Sequence, residues 1–260
     1  MAKNQPDSQP IKTRNGALPQ RRRSENLPEG LYYFEDELVI DGVLEARVVT
    51  ATGWLLELLK LDAGEISFLD GAREIRPPLK EFAIFYPPFT FTRPVFKNVK
   101  ASLKGIAGTA PLPAELLSRP LAFEADSKIA PKSAAEVIEI LKSNHSSALS
   151  VDACAEASLL SLRAKKLIDE NYRVFPSIAR IAARLKVSHA HLTRQFKRDF
   201  RLSPNAYLHQ VRIADATFRL TLGQPIIEVS GDVGYNDLSR FYKQFRKSNA
   251  ASPGFCQLMK

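Results

Sequence analysis

Cationic side chains recur at matching positions of two similar segments in the carboxyl-terminal third of the chain. When residues 185–204 are set above residues 234–253, an offset of 49 aligns basic with basic and apolar with apolar residues. The matched pairs are Ser188 with Asp237, Leu192 with Phe241, Arg194 with Lys243, Phe196 with Phe245, Lys197 with Arg246, Arg198 with Lys247, and Ser203-Pro204 with Ser252-Pro253. Arginine and lysine neutralise phosphates and donate hydrogen bonds to guanine edges, so this pattern favours nucleic-acid recognition.

These cations must be positioned by short helices. Ser188 and Asp237 are helix-capping residue types, and Leu192, Phe196 and Phe200 then recur at every fourth position. That spacing places the three apolar side chains on one helix face, toward a core, and leaves the basic residues on the other face. Upstream of each segment lies another short apolar helix, IARIAARLKV or IIEVSGDVGY, aligned at an offset of 48. The sequence therefore predicts two helix-turn-helix motifs.

The stretch from residue 161 to residue 257 resembles the DNA-binding domain of the AraC/XylS family of bacterial transcription regulators. The matching positions are Ile181-Ala182, Val187-Ser188, Leu192, Arg194, Phe196-Lys197, Ser203-Pro204, Tyr207, Arg212, Ala214, Pro225-Ile226, Val233-Gly234-Tyr235, Asp237, Phe241, Phe245-Arg246-Lys247 and Ser252-Pro253. The resemblance implies seven helices, with one through Val211 and Leu220 bridging two subdomains. It also implies two recognition helices in successive major grooves, and a sequence-specific transcription regulator rather than an enzyme.

The resemblance also assigns roles to individual positions. The family's usual base-reading residues correspond to Ala190, Thr193 and Arg194 in the first motif and to Leu238, Ser239, Arg240 and Lys243 in the second. The candidate phosphate contacts are Ser188, Lys197, Arg198, Arg201, Arg246 and Lys247.

The sequence departs from the family pattern at several turns. Lys186 replaces the usual glycine of the first turn. If the backbone of Lys186 is left-handed, this replacement lowers the stability of the fold by about 1 kcal/mol. Arg201 and Ala250 replace glycine before each Ser-Pro, and Gly231 interrupts a helix of the second motif. We therefore expect a looser second motif.

The charge distribution supports a polyanionic partner for one domain only. The chain has 260 residues and a net charge of +9. Residues 161–260 hold 18 basic and 7 acidic side chains, whereas residues 31–130 hold 11 basic and 14 acidic ones. Double-stranded DNA is the leading candidate, and RNA polymerase is a further candidate partner of such a regulator.

The amino-terminal half has the pattern of short strands. Aromatic and aliphatic runs alternate with turn residues, and Asp70-Gly71 predicts a hairpin between EISFL and AREIR. The strand series is similar to the cupin-like domains often joined to such regulators. The predicted fold is α+β with two domains: an amino-terminal antiparallel β barrel or sandwich, cupin-like, and a carboxyl-terminal all-α domain with two helix-turn-helix motifs. The predicted segments are a disordered basic arm (1–30), a cupin-like effector- or partner-binding domain (31–130), a helical linker (131–160) and the DNA-binding domain (161–260).

A small-molecule effector and a protein partner are both open as ligands of the cupin-like domain. Candidate effector-binding residues are Trp54, Phe68, Phe82 and Phe85, although aromatic residues on strands are more often plain core. A cupin-type metalloenzyme is the rival class. All four histidines lie outside residues 31–110, so we expect no metal, no cofactor and no catalysis.

The remaining patterns concern compartment and assembly. Two cysteines are too few for a disulfide framework, and the longest apolar run, residues 54–61, is too short to cross a bilayer. We expect a cytoplasmic protein without a membrane span. Apolar stripes predict helices over residues 133–141 and 157–168, which could pair between two copies in a homodimer.

Overall fold

The chain folds into an amino-terminal antiparallel sheet followed by a set of helices. The computed structural model describes residues 12–13, 16–17, 20–70, 73–77, 80–117, 119–126, 128–154, 157–174, 177–249 and 252–254. The strands are β1 (Lys12–Thr13), β2 (Gly16–Ala17), β3 (Gln20–Leu27), β4 (Leu31–Glu45), β5 (Val48–Val49), β6 (Trp54–Asp70), β7 (Arg73–Ile75), β8 (Glu81–Tyr86), β9 (Phe91–Thr92), β10 (Pro94–Gly108), β11 (Leu121–Glu124) and β12 (Leu149–Ser150). The helices are α1 (Ala134–Asn144), α2 (Leu159–Asn171), α3 (Ile178–Arg184), α4 (His189–Phe200), α5 (Pro204–Thr221), α6 (Ile226–Asp232) and α7 (Leu238–Asn249).

One antiparallel sheet, in the order β12-β11-β8-β6-β10-β4-β3, forms the body of the β domain, by which we mean strands β3–β12 with α1. Strand β7 pairs with β6 outside this order. The β6–β7 pairing joins Phe68 to Ile75 and Asp70 to Arg73, which confirms the predicted hairpin. The antiparallel β domain followed by helices confirms the predicted fold class.

The strands of this sheet are longer than the sequence pattern indicates. Separate runs on either side of Asp62-Ala63-Gly64 are joined in the single strand β6. Gly64 has a φ of +84°, and a Cβ atom there would lie 2.3 Å from the carbonyl oxygen of Asn98. The register between β6 and β10 shifts at this point. Gly64 therefore permits a β-bulge instead of a turn.

Both faces of the sheet are covered. Leu56, Phe85 and Ile106 face a core that includes Val137 and Leu141 of α1. The opposite face carries a second apolar core, with members such as Phe68, Phe82, Ile84 and Tyr86. Helix α1, predicted as part of a linker, thus packs on the sheet of its own chain.

The prediction of a disordered arm is wrong for residues 20–30. Residues 20–27 form β3, which pairs antiparallel with β4 in a register that joins Gln20 to Glu37 and Leu27 to Leu31. Pro28–Gly30 then form a 3₁₀ turn. A polar segment gains backbone hydrogen bonds by joining a sheet edge, and composition carries no signal of that pairing. Most of residues 1–19 lie outside the described residues.

The helical domain, α2–α7, contains two apolar cores joined by one helix. Helices α2, α3, α4 and the first half of α5 surround one core. The second half of α5, α6 and α7 surround the other. Six of the seven helices that the resemblance implies lie within the described residues, and Pro253 and Gly254 are also helical. The predicted helices over residues 133–141 and 157–168 are confirmed as parts of α1 and α2.

The β domain contributes directly to the first of these cores. Phe91 is 1% exposed, and its ring meets Phe200 at 5.7 Å and Tyr207 at 6.1 Å. Lys165 of α2 donates to the carbonyl oxygen of Phe89 at 2.6 Å. None of the described helices is both long and apolar enough to cross a bilayer.

Candidate nucleic-acid interface

The first motif, Ile178–Phe200, comprises α3, a tight turn and α4. Ser188 caps α4, and its hydroxyl accepts the backbone N–H of His191 at 3.1 Å. In the turn, the N–H of Lys186 donates to Ala183 at 3.0 Å and the N–H of Val187 donates to Ala182 at 3.1 Å. The cap and the turn therefore fix the direction in which α4 leaves α3.

The second motif, Ile226–Asn249, repeats this geometry. Asp237 accepts the N–H of Ser239 at 2.7 Å and that of Arg240 at 3.2 Å. The turn bonds recur at the offset of 48: Gly234 donates to Gly231 at 2.9 Å, and Tyr235 to Ser230 at 2.9 Å. The internal repeat read from the sequence is thus a repeat of backbone structure.

The two turns differ at one equivalent position. Lys186 has a φ of +56°, and Gly234 has a φ of +90°. Both positions need the left-handed region that glycine enters without strain. Lys186 carries that strain in the first motif, as its replacement of glycine led us to expect.

The apolar faces of α4 and α7 point inward. Leu192, Phe196, Phe241 and Phe245 have no exposed surface, and Phe200 is 1% exposed. Phe196 and Phe200 meet at 4.4 Å between ring centroids, and Phe241 and Phe245 at 5.5 Å. These aromatic residues are core, as the spacing predicted, and the basic side chains lie on the other faces.

The predicted base-reading side chains are accessible. In α4, Ala190 and Arg194 are exposed and Thr193 is half-buried. In α7, the four positions Leu238, Ser239, Arg240 and Lys243 are all exposed. Leu238, Ser239 and Lys243 share a groove with Tyr242 and Arg246. Sequence reasoning missed Tyr242, although its distance of four residues from Leu238 is the spacing of neighbours on a helix.

The predicted phosphate contacts are mostly exposed at the ends of the recognition helices. Lys197, Arg246 and Lys247 lie in the last turns of α4 and α7. Arg198 lies 3.5 Å from Asp199, with 72% of its side chain exposed. Arg201 ends α4 with a φ of +56°, and its carbonyl oxygen accepts a hydrogen bond from Arg47 of the β domain at 3.3 Å.

A half-buried carboxylate, Asp199, anchors α4 to the start of α2. Asp199 accepts the backbone N–H of Ser158 at 3.1 Å and its hydroxyl at 2.5 Å. Burial acts to raise the pKa of Asp199, but hydrogen bonds from Ser158, Ser161 and Gln195 outweigh it and hold the pKa at about 2. The carboxylate is therefore charged at neutral pH and fixes α4 within the first core.

A buried histidine lies beside the turn of the second motif. Nδ1 of His209 is 2.9 Å from the hydroxyl of Tyr235. Burial, followed by the charges of Arg212, Arg240 and Lys247, lowers the pKa of His209 to about 4. His209 is thus neutral at physiological pH, which suits a site surrounded by cations.

A cavity of about 340 Å³ lies between the β domain and α5. Of the four candidate effector residues, only Trp54 lines it, and its indole N–H donates to the carbonyl oxygen of Ala110 at 2.9 Å. Phe68 and Phe82 lie in one core of the sheet and Phe85 lies in the other. The structure therefore does not bring these four aromatic residues together in one site.

The polar lining of this cavity comes from both domains. Arg47 and Thr52 of the β domain face Gln210 and Asp215 of α5. Oε1 of Gln210 is buried and has no hydrogen-bond partner among the described residues. Across the described residues, no three or more His, Cys, Asp or Glu side chains are grouped so that they could hold a metal ion.

Comparisons with known proteins agree with this geometry. A family model described as "Helix-turn-helix domain" matches residues 181–257. An 89-residue segment is 29% identical to the uncharacterized HTH-type transcriptional regulator YdiP of Escherichia coli K12, over 33% of this chain and 29% of YdiP. Another is 32% identical to the raffinose operon transcriptional regulatory protein RafR of Pediococcus pentosaceus, over 34% of this chain and 32% of RafR. The matched segment thus spans less than a third of either relative.

The fold of the whole chain also has a counterpart among solved structures. ToxT from Vibrio cholerae, solved with an unsaturated fatty acid bound, superposes with a TM-score of 0.52 at 9% identity. The superposition covers 90% of this chain and 97% of ToxT. The chain therefore carries a carboxyl-terminal helix-turn-helix domain of the AraC type, in a two-domain fold of the kind that ToxT shows.

Proposed function

We propose that the protein is a sequence-specific DNA-binding transcription regulator that places α4 and α7 in successive major grooves. The observation that carries this proposal is the structural repeat: both motifs have the same turn bonds, the same capped second helix and basic outer faces. A capped helix with a polar, cationic face suits major-groove entry. DNA binding would place the protein in the bacterial cytoplasm.

Within this proposal, the exposed residues divide into two roles. The base readers are Ala190, Thr193, Arg194, Leu238, Ser239, Arg240 and Lys243. The phosphate contacts are Ser188, Lys197, Arg198, Arg201, Arg246 and Lys247. The hydroxyl oxygen of Ser188 accepts the N–H of His191, so its hydroxyl hydrogen can still donate to a phosphate at the helix end that Ser188 caps.

Binding selection from random DNA pools with the full chain, followed by titration of the selected site, tests the proposal. Arg194→Ala should weaken binding to the selected site by about 1–3 kcal/mol and relax preference at one base position. Lys197→Ala, the matched control, should weaken binding to all DNA sequences about equally. It should also reduce the slope of log affinity against log salt concentration by about one. The proposal fails if no sequence is enriched. The role of Arg194 is refuted if its loss weakens specific and random DNA equally.

We further propose that the cavity between the β domain and α5 takes an amphipathic small-molecule effector. Its volume suits a small ligand, and it combines aromatic walls with Arg47 and the unpartnered Oε1 of Gln210. ToxT, which shares the fold, was solved with an unsaturated fatty acid. A fatty acid is therefore the first compound to test, with its carboxylate facing Arg47.

Thermal unfolding with a panel of fatty acids checks this assignment. A ligand at 100 times its Kd stabilises the native state by about 2.7 kcal/mol, so the unfolding midpoint should rise. Ala214→Leu, which narrows the cavity, and Arg47→Gln should each reduce the rise. A rise that both variants retain would place the ligand elsewhere. RNA polymerase as a partner and homodimerisation through α1 or α2 are further expectations of the regulator assignment.

A further inference from the structure

We propose that Arg212 and Asp215, two buried residues of α5, hold the second motif at a fixed position relative to the first and thereby set the spacing of the bases that the protein reads. The inference rests on the proposed function and adds to it two positioning residues that do not face the DNA. We refer to Arg212 and Asp215, with the residues they bond, as the α5 brace.

Arg212 joins the end of α2 to the turn of the second motif. Its side chain is buried, at 8% exposure, and its Nε donates to the carbonyl oxygen of Tyr172 at 2.7 Å. The guanidinium carbon lies 5.4 Å from the ring centroid of Tyr235. A Cβ atom on Gly234 would lie 2.8 Å from Nη2 of Arg212. The guanidinium therefore fills the space between α2 and the second turn.

Asp215 makes a second connection one helical turn further along α5. It is 1% exposed and accepts the hydroxyl of Tyr172 at 2.7 Å and Nη2 of Arg173 at 3.1 Å. Its other oxygen accepts Nε of Arg219 at 3.1 Å. Arg219 in turn donates to Asp232 of α6 at 3.0 Å. A continuous chain of hydrogen bonds thus runs from the end of α2 to α6.

These bonds matter because the two apolar cores of the helical domain have no residue in common. Without the brace, the two modules would be joined by the backbone of α5 and by the contact of the Gly234 turn with the backbone of Arg173, and small bends of α5 would change their relative position. Buried charged groups with several partners have few alternative arrangements, since leaving one unpaired is strongly unfavourable. The brace therefore restricts the modules to one separation.

A fixed separation has a direct consequence for DNA. Two recognition helices that enter successive grooves must match the helical repeat of the duplex, so the distance between the base pairs they read is a geometric property of the protein. Loosening the brace should leave each motif folded and able to contact its own bases. It should reduce the penalty for a site in which the two half-elements are moved apart.

The experiment uses the full chain with Arg212→Met, Asp215→Asn and, as a matched control, Arg163→Met on the exposed surface of α2. Each is titrated against the selected site and against the same site with one base pair inserted or deleted between the half-elements. The parent and the control should lose about 10- to 100-fold in affinity on insertion. The brace variants should lose less than about threefold, starting from a lower affinity for the selected site. A penalty for the changed spacing that is equal in parent and brace variants overturns the inference.

A second measurement does not depend on DNA. Spin labels on Ala179→Cys of α3 and Glu228→Cys of α6, both exposed, report the distance between the motifs by dipolar spectroscopy, in a chain with Cys154→Ala and Cys256→Ser. The parent should give one narrow distance distribution, and Arg212→Met a broad or shifted one, with circular dichroism confirming retained helix. An unchanged distribution in the folded variant refutes the brace.

The two measurements distinguish failure of the proposed regulator function from failure of the α5 brace. If the parent binds no DNA sequence specifically while its distance distribution broadens on Arg212→Met, the regulator assignment fails and the spacing role fails with it. If the parent binds specifically and neither measurement responds to the variants, only the brace is wrong.

Discussion

The equivalent turn positions of the two motifs allow a reciprocal test of backbone strain. Lys186 is exposed and has a φ of +56°. A left-handed backbone is unfavourable for an L-residue by about 1–2 kcal/mol, whereas a glycine loses about 0.5–1 kcal/mol more in conformational entropy on folding. Lys186→Gly should therefore stabilise the protein by about 0.5–1 kcal/mol, or about 1–3 °C in unfolding temperature.

The opposite substitution in the second turn should be strongly destabilising. At Gly234, with a φ of +90°, a Cβ atom would lie 2.5 Å from the carbonyl oxygen of Arg173 and 2.8 Å from Nη2 of Arg212. Strain and steric overlap together should lower the free energy of unfolding of Gly234→Ala by about 2–4 kcal/mol.

Urea unfolding followed by circular dichroism measures both effects, with Lys186→Ala as the control that keeps the Cβ atom. The control should match the parent within about 0.5 kcal/mol, since it retains the strained backbone. If Lys186→Gly is no more stable than Lys186→Ala, or if Gly234→Ala is as stable as the parent, the strain argument is wrong for these turns.

Three further substitutions test the packing and the electrostatics. Phe91→Ala should destabilise the protein by about 3–5 kcal/mol in urea unfolding, because the ring is buried between the two domains; a loss below about 1 kcal/mol would contradict that packing. Because the folded-state pKa of His209 is about 4 and its ordinary value is 6.5, the unfolded chain binds more protons between these values. Stability should fall as pH drops through that window, and His209→Gln should flatten the slope in urea unfolding at pH 7 and pH 5. Asp199→Asn should lower the free energy of unfolding at pH 7 by about 1–2 kcal/mol, because Ser158 loses its charged acceptor; equal stability of parent and variant would remove the anchoring role.

The helical domain could be predicted from the sequence because its signals are local. The caps at Ser188 and Asp237 lie within three residues of the N–H groups that they accept, and the spacing of Leu192 and Phe196 defines the inward face of α4 directly. Because the second segment aligns with the first at a fixed offset, the second motif could be identified from the first without information on tertiary contacts.

The features that the sequence did not predict depend on distant partners. Strand β3 forms because the edge of β4 accepts it, and Gly64 bends a strand instead of ending it because Asn98 of β10 lies against it. The resemblance included Arg212 but gave it no role, since its partner Tyr172 is 40 residues away. Long-range contacts of this kind leave no periodic trace along the chain.

The ring of Phe91 has a consequence for how this protein can be divided or recombined. A fragment that begins at α2 would lack that ring, so the sides of Phe200 and Tyr207 that contact Phe91 would be exposed to solvent. The two halves are therefore not interchangeable units. If another protein's amino-terminal half were fused to these helices, it would have to supply an aromatic side chain that fills the place of Phe91 at the domain interface.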